Sequence, residues 1–346
     1  MATPGNEPLT ALLTLTTGAA GAVLAFLLGF PAPALTGPAL ACTILCVAGV
    51  PLHVPHILRN VCFVVIGMSM GTGVTPEVYE TARQWPLSFL FLALSVCVIF
   101  AAGTVTLRRL WRQDRQTALL SSVPGHLSYI LGLSTDTRGD IASISVIQST
   151  RVLALTLIVP FAVSMMGYDT TQMGLPGAKM ALIPLAVSLL LAMCIGLILH
   201  RLRIPAALLL GGMIFSTVTH LSGLVVGHVP LWAAIPAFAI MGTMIGSRFS
   251  GVAFKTLVRA FGAGFAITLI AFLVTIIFAV LLIQVVDLPL PQVLIAFAPG
   301  GVESMAAMAV ILGADPSFVA AHHVWRLVIL TFLAPLVLGR TKKSGP

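Results

Sequence analysis

Long apolar runs fill this sequence from about residue 10 to residue 338, and they limit most strongly what the chain can fold into. Residues 10–30, 86–107 and 257–286 are examples. Of all residues, 58% are hydrophobic and only 8% are charged, and the mean hydropathy is +1.08. Because a soluble chain of 346 residues cannot bury so much apolar surface, the sequence predicts an all-α polytopic membrane protein without a soluble domain.

Two of the apolar runs contain a break. Residues 298–305 read Ala-Pro-Gly-Gly-Val-Glu-Ser-Met, and residues 124–129, which read Pro-Gly-His-Leu-Ser-Tyr, begin 175 positions before Pro299. Proline lacks a backbone donor and ordered glycine costs entropy, so neither segment favours a continuous helix. In a bilayer such a backbone must line protein or water. We expect re-entrant hairpins at residues 118–134 and 293–313, or broken helices that cross fully.

The same offset recurs along the chain, which indicates an internal repeat. Arg151 and Arg326 are 175 positions apart, as are Gly67 and Gly242. Two copies of one unit thus account for nearly the whole protein. The predicted domains are a tail at residues 1–9, a first repeat at 10–166, a linker at 167–180, a second repeat at 181–338 and a basic cytoplasmic tail at 339–346.

The charges indicate how the two copies are oriented. The arginine-rich loop at residues 108–115 is expected in the cytoplasm, yet the matching loop around Asp287 has no Lys or Arg. The reverse holds for the acidic loop at residues 77–80, whose counterpart at residues 248–259 is basic. The sequence therefore predicts two inverted-topology repeats, each with about five spans plus one re-entrant or broken-helix hairpin.

Smaller sequence features add local expectations. Pro31 to Pro38 is interpreted as a turn before a short second span at residues 39–52. The small residues of Gly67–Gly71 and Gly242–Gly246 lie one helical turn apart and permit close helix packing. The five cysteines lie in apolar segments without a Cys-x-x-Cys pair, so we expect no disulfide and no metal site.

The two breaks are the candidate substrate site. Hairpins that enter from opposite faces would bring Pro124 and Pro299 together near the midplane and expose backbone N–H groups and helix N-termini to a cavity. Each helix N-terminus favours an anion by about 0.3–1 kcal/mol. The site is therefore expected to prefer a carboxylate or a similar anion.

An arginine follows each break near the middle of an apolar run. Arg151 and Arg326 would each cost at least about 2.5–3.5 kcal/mol on insertion scales without a partner or water. Gln148 and His323 precede them by three positions and share a helix face with them. The arginines either contact a bound anion, or bind hairpin carbonyls or Glu303 and hold the hairpins in place.

Glu303 has no acidic counterpart, because Ser128 occupies the matching position. Its carboxylate could carry a proton or coordinate a cation, or it could form a salt bridge to Arg326. His322 and His323 are further proton candidates, or hydrogen-bonded packing residues. The candidate coupling residues are thus Glu303, His322 and His323. The candidate substrate-binding residues are Pro124, Gly125, His126, Ser128, Arg151, Pro299, Gly300, Gly301, Ser304 and Arg326.

These features resemble the bacterial membrane AbrB-type duplication family, whose members are often labelled ammonia monooxygenase or regulator. Residues 299–305 carry the resemblance most specifically, whereas the first copy departs from it at His126 and Tyr129. The plan is also similar to that of the citrate and glutamate secondary carriers. A copper monooxygenase needs convergent histidines, and only His126, His322 and His323 lie near the breaks, so we expect neither an enzyme nor a cofactor.

The expected function is a secondary transporter of a small organic anion by alternating access, coupled to a proton or cation. Its expected location is the bacterial cytoplasmic membrane. One alternative is a monovalent cation/proton antiporter, and another is a membrane ligand sensor that affects gene expression indirectly, without contacting nucleic acid. A moving domain needs a fixed scaffold, which a homodimer could provide, but the sequence does not decide the oligomeric state.

Overall fold

The computed structural model describes residues 7–72, 85–124, 130, 139–168, 178–202, 204 and 206–338. Within these residues the structure has thirteen α-helices and no β-strand. In chain order they are α1 (Glu7–Leu27), α2 (Pro33–Val47), α3 (His56–Gly71), α4 (Trp85–Arg109), α5 (Arg115–Ser122), α6 (Ile141–Met165), α7 (Leu182–Arg201), α8 (Ala207–Leu221), α9 (Leu231–Ser247), α10 (Phe254–Ile283), α11 (Leu290–Phe297), α12 (Val302–Ile311) and α13 (Pro316–Leu338).

Five described helices are long and apolar enough to cross a membrane. The spans are Pro8–Leu27, Trp85–Arg109, Ile141–Met165, Leu182–Arg201 and Phe254–Ile283. Five further apolar helices, α2, α3, α8, α9 and α12, have 10–17 residues. The all-helical architecture and the apolar spans are those of a multi-pass membrane protein, as the sequence predicted.

The helix boundaries recur at a nearly fixed offset. The short helices α5 and α11 cover residues 115–122 and 290–297, which are 175 positions apart at both ends. Helices α6 and α13 begin at residues 141 and 316, again 175 apart, and α2 and α8 have the same length at an offset of 174. The local structure of the two halves therefore follows the spacing of the matched Pro, Gly and Arg positions.

The turn predicted at residues 31–38 is wrong, because α2 already begins at Pro33 and contains Pro38. Pro33 is tolerated because the first residues of a helix have no intrahelical acceptor for their N–H groups. Ala32 precedes the helix with a φ of 49° and turns the chain sharply into it. The prolines at residues 33 and 38 therefore lie in the first turns of a helix and not in a turn between two helices.

The described helices form two compact units. The first unit takes in the described parts of Met1–Arg83, Thr156–Gly251 and Val302–Ala320. Within it α3 packs on α8 and α2 packs on α9. A Cβ atom added at Gly67 would overlap the carbonyl oxygen of Leu209, and one at Gly242 would overlap that of Leu35. These glycines thus permit close helix packing.

The second unit takes in the described parts of Gln84–Leu155, Val252–Gly301 and Ala321–Pro346. Within it α4 packs on α5 and α10, and α10 also packs on α11. Gly264 of α10 faces the side chain of Thr150 and the backbone of Ile147, both on α6. This unit contains the short helices α5 and α11 together with the buried arginines Arg151 and Arg326.

Candidate functional site

The chain is not helical between Phe297 and Val302, where the Pro-Gly-Gly segment lies. α11 ends at Phe297, Ala298 has ψ near 127°, and α12 begins only at Val302. Pro299 and Gly300 are buried, and Gly301 is half-buried. The interruption leaves the last carbonyl groups of α11 without helical donors, so they need other partners.

Arg326 supplies those donors. Its side chain is only 1% exposed. Nη1 donates to the carbonyl oxygen of Ala298 at 2.7 Å, and Nη2 donates to that of Gly300 at 2.7 Å. A guanidinium at the C-terminal end of a helix also meets the negative end of the helix dipole. Arg326 therefore caps α11 from α13.

Arg151 makes an equivalent contact in the first half of the chain. It is 2% exposed, and its Nη1 donates to the carbonyl oxygen of Val123 at 3.1 Å. Val123 follows α5 and directly precedes Pro124, as Ala298 follows α11 and precedes Pro299. Each arginine thus binds the last carbonyl before its break, which is one of the two roles that the sequence left open.

Gln148 and His323 hold the two arginines. Gln148 Nε2 donates to the carbonyl oxygen of Leu120 at 2.9 Å, while its Oε1 accepts from Arg151 Nη2. His323 Nε2 lies 3.2 Å from the carbonyl oxygen of Ile295, and its Nδ1 lies against Arg326 Nη2. Because a guanidinium can only donate, Nδ1 must accept, which assigns the hydrogen to Nε2. A neutral His323 satisfies both contacts.

The two arginine charges lie near each other within the second unit. Arg151 acts on Arg326 electrostatically, and the effect is repulsive. The carboxylates that the structure describes in this unit, Asp114, Asp140 and Asp287, are all exposed. Two like charges in a buried apolar setting strongly favour the approach of an anion.

His322 is in a different environment from its neighbour. It is completely buried, and its Nε2 lies 2.7 Å from Ser88 Oγ. Its ring packs near Phe89, at 4.6 Å between centroids, and near Phe297, at 5.9 Å. These contacts are those of a hydrogen-bonded packing residue, and its part in coupling stays a prediction.

Glu303 and Ser304 belong to the first unit, in the first turn of α12. Glu303 is half-buried, Ser304 is buried, and α12 packs on α3. Arg248, just after α9, is an electrostatic partner of Glu303. Sequence analysis treated Arg248 only as a loop charge that reports topology, and no spacing connected it with Glu303.

A comparison with known families agrees with this architecture. The family model described as Transition state regulatory protein AbrB matches residues 34–341. The chain belongs to the AbrB family. The matched range contains both breaks and both buried arginines, and the resemblance seen in the sequence is confirmed.

Two relatives resemble most of the chain. It is 27% identical over 289 residues to "Uncharacterized protein YhjN" of Bacillus subtilis (strain 168), covering 78% of this chain and 75% of the relative. It is 24% identical over 317 residues to "Putative regulator AbrB" of Escherichia coli (strain K12), covering 89% of each chain. The similarity therefore extends over both halves of the chain.

Several predicted site residues of this AbrB-family chain lie outside the described residues, namely Gly125, His126 and Ser128. Pro124 is described and buried. The structure thus brings Pro124, Pro299, Gly300, Gly301, Arg151, His322, His323 and Arg326 into one unit.

Buried hydroxyl groups lie on the helices of the first break. Ser121 Oγ on α5, and Ser149 Oγ and Thr150 Oγ1 on α6, have no hydrogen-bond partner among the described residues. The matching positions of α11 and α13 are Ala296, Val324 and Trp325, which have no hydroxyl. No spacing in the sequence singled out Ser149 or Thr150. Such buried donors favour a polar ligand or water beside the first break.

Proposed function

We propose that this AbrB-family protein is a secondary transporter of a small organic anion in the bacterial cytoplasmic membrane. The observation that carries the proposal is the pair of buried arginines, each hydrogen-bonded to the backbone carbonyl group that directly precedes Pro124 or Pro299. A site with this charge is most stable when an anion occupies it.

The hydrogen bonds of Arg326 support an anion more than a cation. Its partners among the described residues are two carbonyl oxygens and an imidazole, all uncharged, and its buried Nε has none. Nε therefore has a donor to offer to a carboxylate. The Ala298 and Gly300 carbonyls, which could otherwise coordinate a cation, already accept from the guanidinium. This geometry disfavours the cation/proton antiporter.

The repeated architecture supports transport by alternating access. Helix boundaries and arginine contacts recur at an offset of 175 positions, and interrupted helices of two related halves are typical substrate sites of secondary transporters. We propose that the two copies are inverted, with about five spans each, and that α5 and α11 begin re-entrant or broken-helix hairpins. The charge asymmetry of the matched loops is the argument for inversion.

Coupling is proposed to involve Glu303. A half-buried carboxylate whose electrostatic partner is Arg248 can exchange that partner for a proton or a cation as its surroundings change. His322 and His323 stay as further candidates for a proton. His323 must accept from Arg326, so its protonation would place a second positive charge beside the guanidinium.

A membrane sensor is the second candidate, because one relative is named as a regulator. A sensor would bind the same anion without moving it, and any effect on gene expression would be indirect. Binding alone cannot distinguish the two candidates, whereas flux can.

Thermal unfolding of the purified protein with a panel of ligands tests the anion site. The panel contains monocarboxylates, dicarboxylates, amino acids and monovalent cations at two pH values. Ligands that bind only the folded state raise the unfolding temperature. We expect a carboxylate to stabilise the wild type but not Arg326→Gln. Arg259→Gln, which removes an exposed arginine, is the control and should be stabilised as the wild type is. Stabilisation by a cation alone, lost in Glu303→Gln, would contradict the proposal and support the antiporter.

A further inference from the structure

A basic pocket lies at the C-terminal end of α4. It encloses about 560 Å³ and is lined by Thr104, Val105, Arg108, Arg109, Arg112 and Gln113. Three of these side chains are guanidiniums, and none is a carboxylate. The volume is within the range of about 300–1,000 Å³ for small-molecule sites. We propose that this pocket binds a phosphate group, and the apolar surface next to it points to the headgroup of an anionic phospholipid.

The backbone after α4 brings the three arginines to one cavity. The N–H of Gln113 donates to the carbonyl oxygen of Leu107 at 3.1 Å, which folds the chain back over the end of the helix. Arg112 has a φ of 50°, a left-handed conformation that residues other than glycine rarely adopt. This turn places Arg112 in the same lining as Arg108 and Arg109.

The nearest carboxylate in the sequence is engaged elsewhere. Asp114 Oδ1 accepts from the backbone N–H groups of Gln116 at 2.9 Å and Thr117 at 3.0 Å, and so caps α5. Asp114 is not part of the lining. Among the described residues that line the pocket, none neutralises its positive charge. Guanidiniums bind phosphate oxygens in pairs of hydrogen bonds.

Thr104 supplies an uncharged group. Its Oγ1 is buried and has no hydrogen-bond partner in the part of the chain that the structure describes. A hydroxyl can donate to a phosphate oxygen as well as accept. Phosphate at this position would satisfy a polar atom that has no partner among the described residues.

The surface beside the pocket suits an acyl chain. Exposed apolar side chains follow one another along α4 toward the pocket: Leu87, Leu90, Leu94, Val98 and Val105. Leu110, just past the helix, is 72% exposed, and Trp111 is half-buried, as expected at a membrane interface. A phospholipid could therefore place its tails along α4 while its phosphate enters the basic pocket.

Native mass spectrometry of the detergent-solubilised protein tests this site. The probes are a short-chain phosphatidylglycerol, the matching phosphatidylcholine and inorganic phosphate. The test variant is Arg108→Gln/Arg112→Gln. The matched control, Arg201→Gln/Lys255→Gln, removes the same number of positive charges from other exposed helix ends. Arg108→Lys/Arg112→Lys keeps the charge and serves as a second test variant, and thermal unfolding without ligand shows whether each variant folds.

We expect phosphatidylglycerol to bind preferentially and its affinity to fall at least about tenfold in the Arg108→Gln/Arg112→Gln variant, a change that two lost charge-assisted hydrogen bonds can produce. The control should bind as the wild type does, and the lysine variant should lose less. Displacement of the lipid by inorganic phosphate at low concentration would support the phosphate site but assign it to a soluble compound. Equal losses of affinity in the test and control variants would overturn the proposal. So would a lack of binding of both phosphatidylglycerol and inorganic phosphate.

Discussion

His323 makes in the second half of the chain the same two contacts that Gln148 makes in the first half. Each joins a carbonyl oxygen of a short helix, Ile295 or Leu120, to the arginine three residues later. An amide offers one donor group and one acceptor, and so does a neutral imidazole. The two side chains are therefore equivalent in hydrogen bonding, although one can titrate and the other cannot.

This equivalence predicts that His323→Gln is tolerated. Glutamine can keep both hydrogen bonds, so we expect the unfolding temperature to change by no more than about 2–4 °C, which corresponds to about 1 kcal/mol. His323→Leu leaves the Ile295 carbonyl and one Arg326 donor unpaired, at about 1–3 kcal/mol each. Thermal unfolding of the two variants in detergent makes the comparison, and equal losses in both would contradict the equivalence.

The His323→Gln variant also tests the predicted part of His323 in proton coupling. Glutamine cannot carry a proton, so a coupling residue at this position would make the variant insensitive to pH. If transport by His323→Gln keeps the pH dependence of the wild type, the proton is carried elsewhere, with Glu303 as the first candidate.

The repulsion between Arg151 and Arg326 predicts a definite sign in a double-mutant cycle. Arg151→Gln and Arg326→Gln each lose hydrogen bonds, and each also removes the repulsion between the two charges. The double variant loses both sets of hydrogen bonds but removes the same repulsion only once. The free energy of unfolding should therefore fall in the double variant by more than the sum of the single losses. Coupling between neighbouring charges is typically about 0.5–3 kcal/mol.

Denaturant unfolding of the wild type, Arg151→Gln, Arg326→Gln and the double variant measures this coupling free energy. Arg259→Gln combined with Arg326→Gln is the control, because Arg259 is exposed. Losses that add within error for Arg151 and Arg326 would show that the two charges do not interact.

Close helix packing in the first unit predicts that Gly67→Ala is destabilising. The new methyl group would overlap the Leu209 carbonyl oxygen, and a backbone atom cannot move aside cheaply. Overpacking of this kind costs about 1–3 kcal/mol. Gly262→Ala in α10 is the matched control, because no atom lies within 4 Å of its added Cβ, and alanine favours a helix by up to about 1 kcal/mol. A Gly67→Ala variant as stable as Gly262→Ala would contradict the packing.

Asp140 and Asp315, which are 175 positions apart and precede α6 and α13, should respond to pH with opposite signs. A hydrogen bond from the Ser143 hydroxyl, at 2.6 Å, lowers the pKa of Asp140. Burial raises the pKa of Asp315. An unfolded aspartate titrates near pH 3.9. The stability that Asp140 contributes is thus present above about pH 4 and lost below it, whereas that of Asp315 is lost as the pH rises above about 4.

Unfolding temperatures of the wild type, Asp140→Asn and Asp315→Asn between about pH 3.5 and 7.5 check both signs, since asparagine can still cap a helix and does not titrate. Relative to the wild type, Asp140→Asn should gain stability toward low pH and Asp315→Asn toward high pH. The same trend in both variants would contradict the assigned environments.

The positions of several long helices could be predicted from the sequence because they depend on local chemistry. Apolar length located α1, α4 and α10, and the Pro-Gly-Gly segment located the non-helical residues between Phe297 and Val302. The start of α2 was not readable, since Pro33 is as acceptable in the first turn of a helix as in a loop.

The two arginines of the site could be predicted from the sequence, but their hydrogen-bond acceptors could not. A charge in the middle of an apolar run indicates Arg151 and Arg326 without any knowledge of the fold. Their acceptors, Val123 and Ala298, are backbone groups 28 residues earlier, which no side-chain pattern identifies. The link between Arg248 and Glu303 likewise depends on how α9 and α12 each pack on α3 within the first unit.

Uptake of a carboxylate into proteoliposomes tests the central claim most directly. The substrate is the carboxylate that stabilises the purified protein, and the samples are the wild type, Arg326→Gln and the control Arg259→Gln. Saturable uptake by the wild type and the control, with loss in Arg326→Gln, is the predicted result. Binding without uptake in the wild type, or uptake unchanged by Arg326→Gln, would contradict an anion transporter built around the two buried arginines.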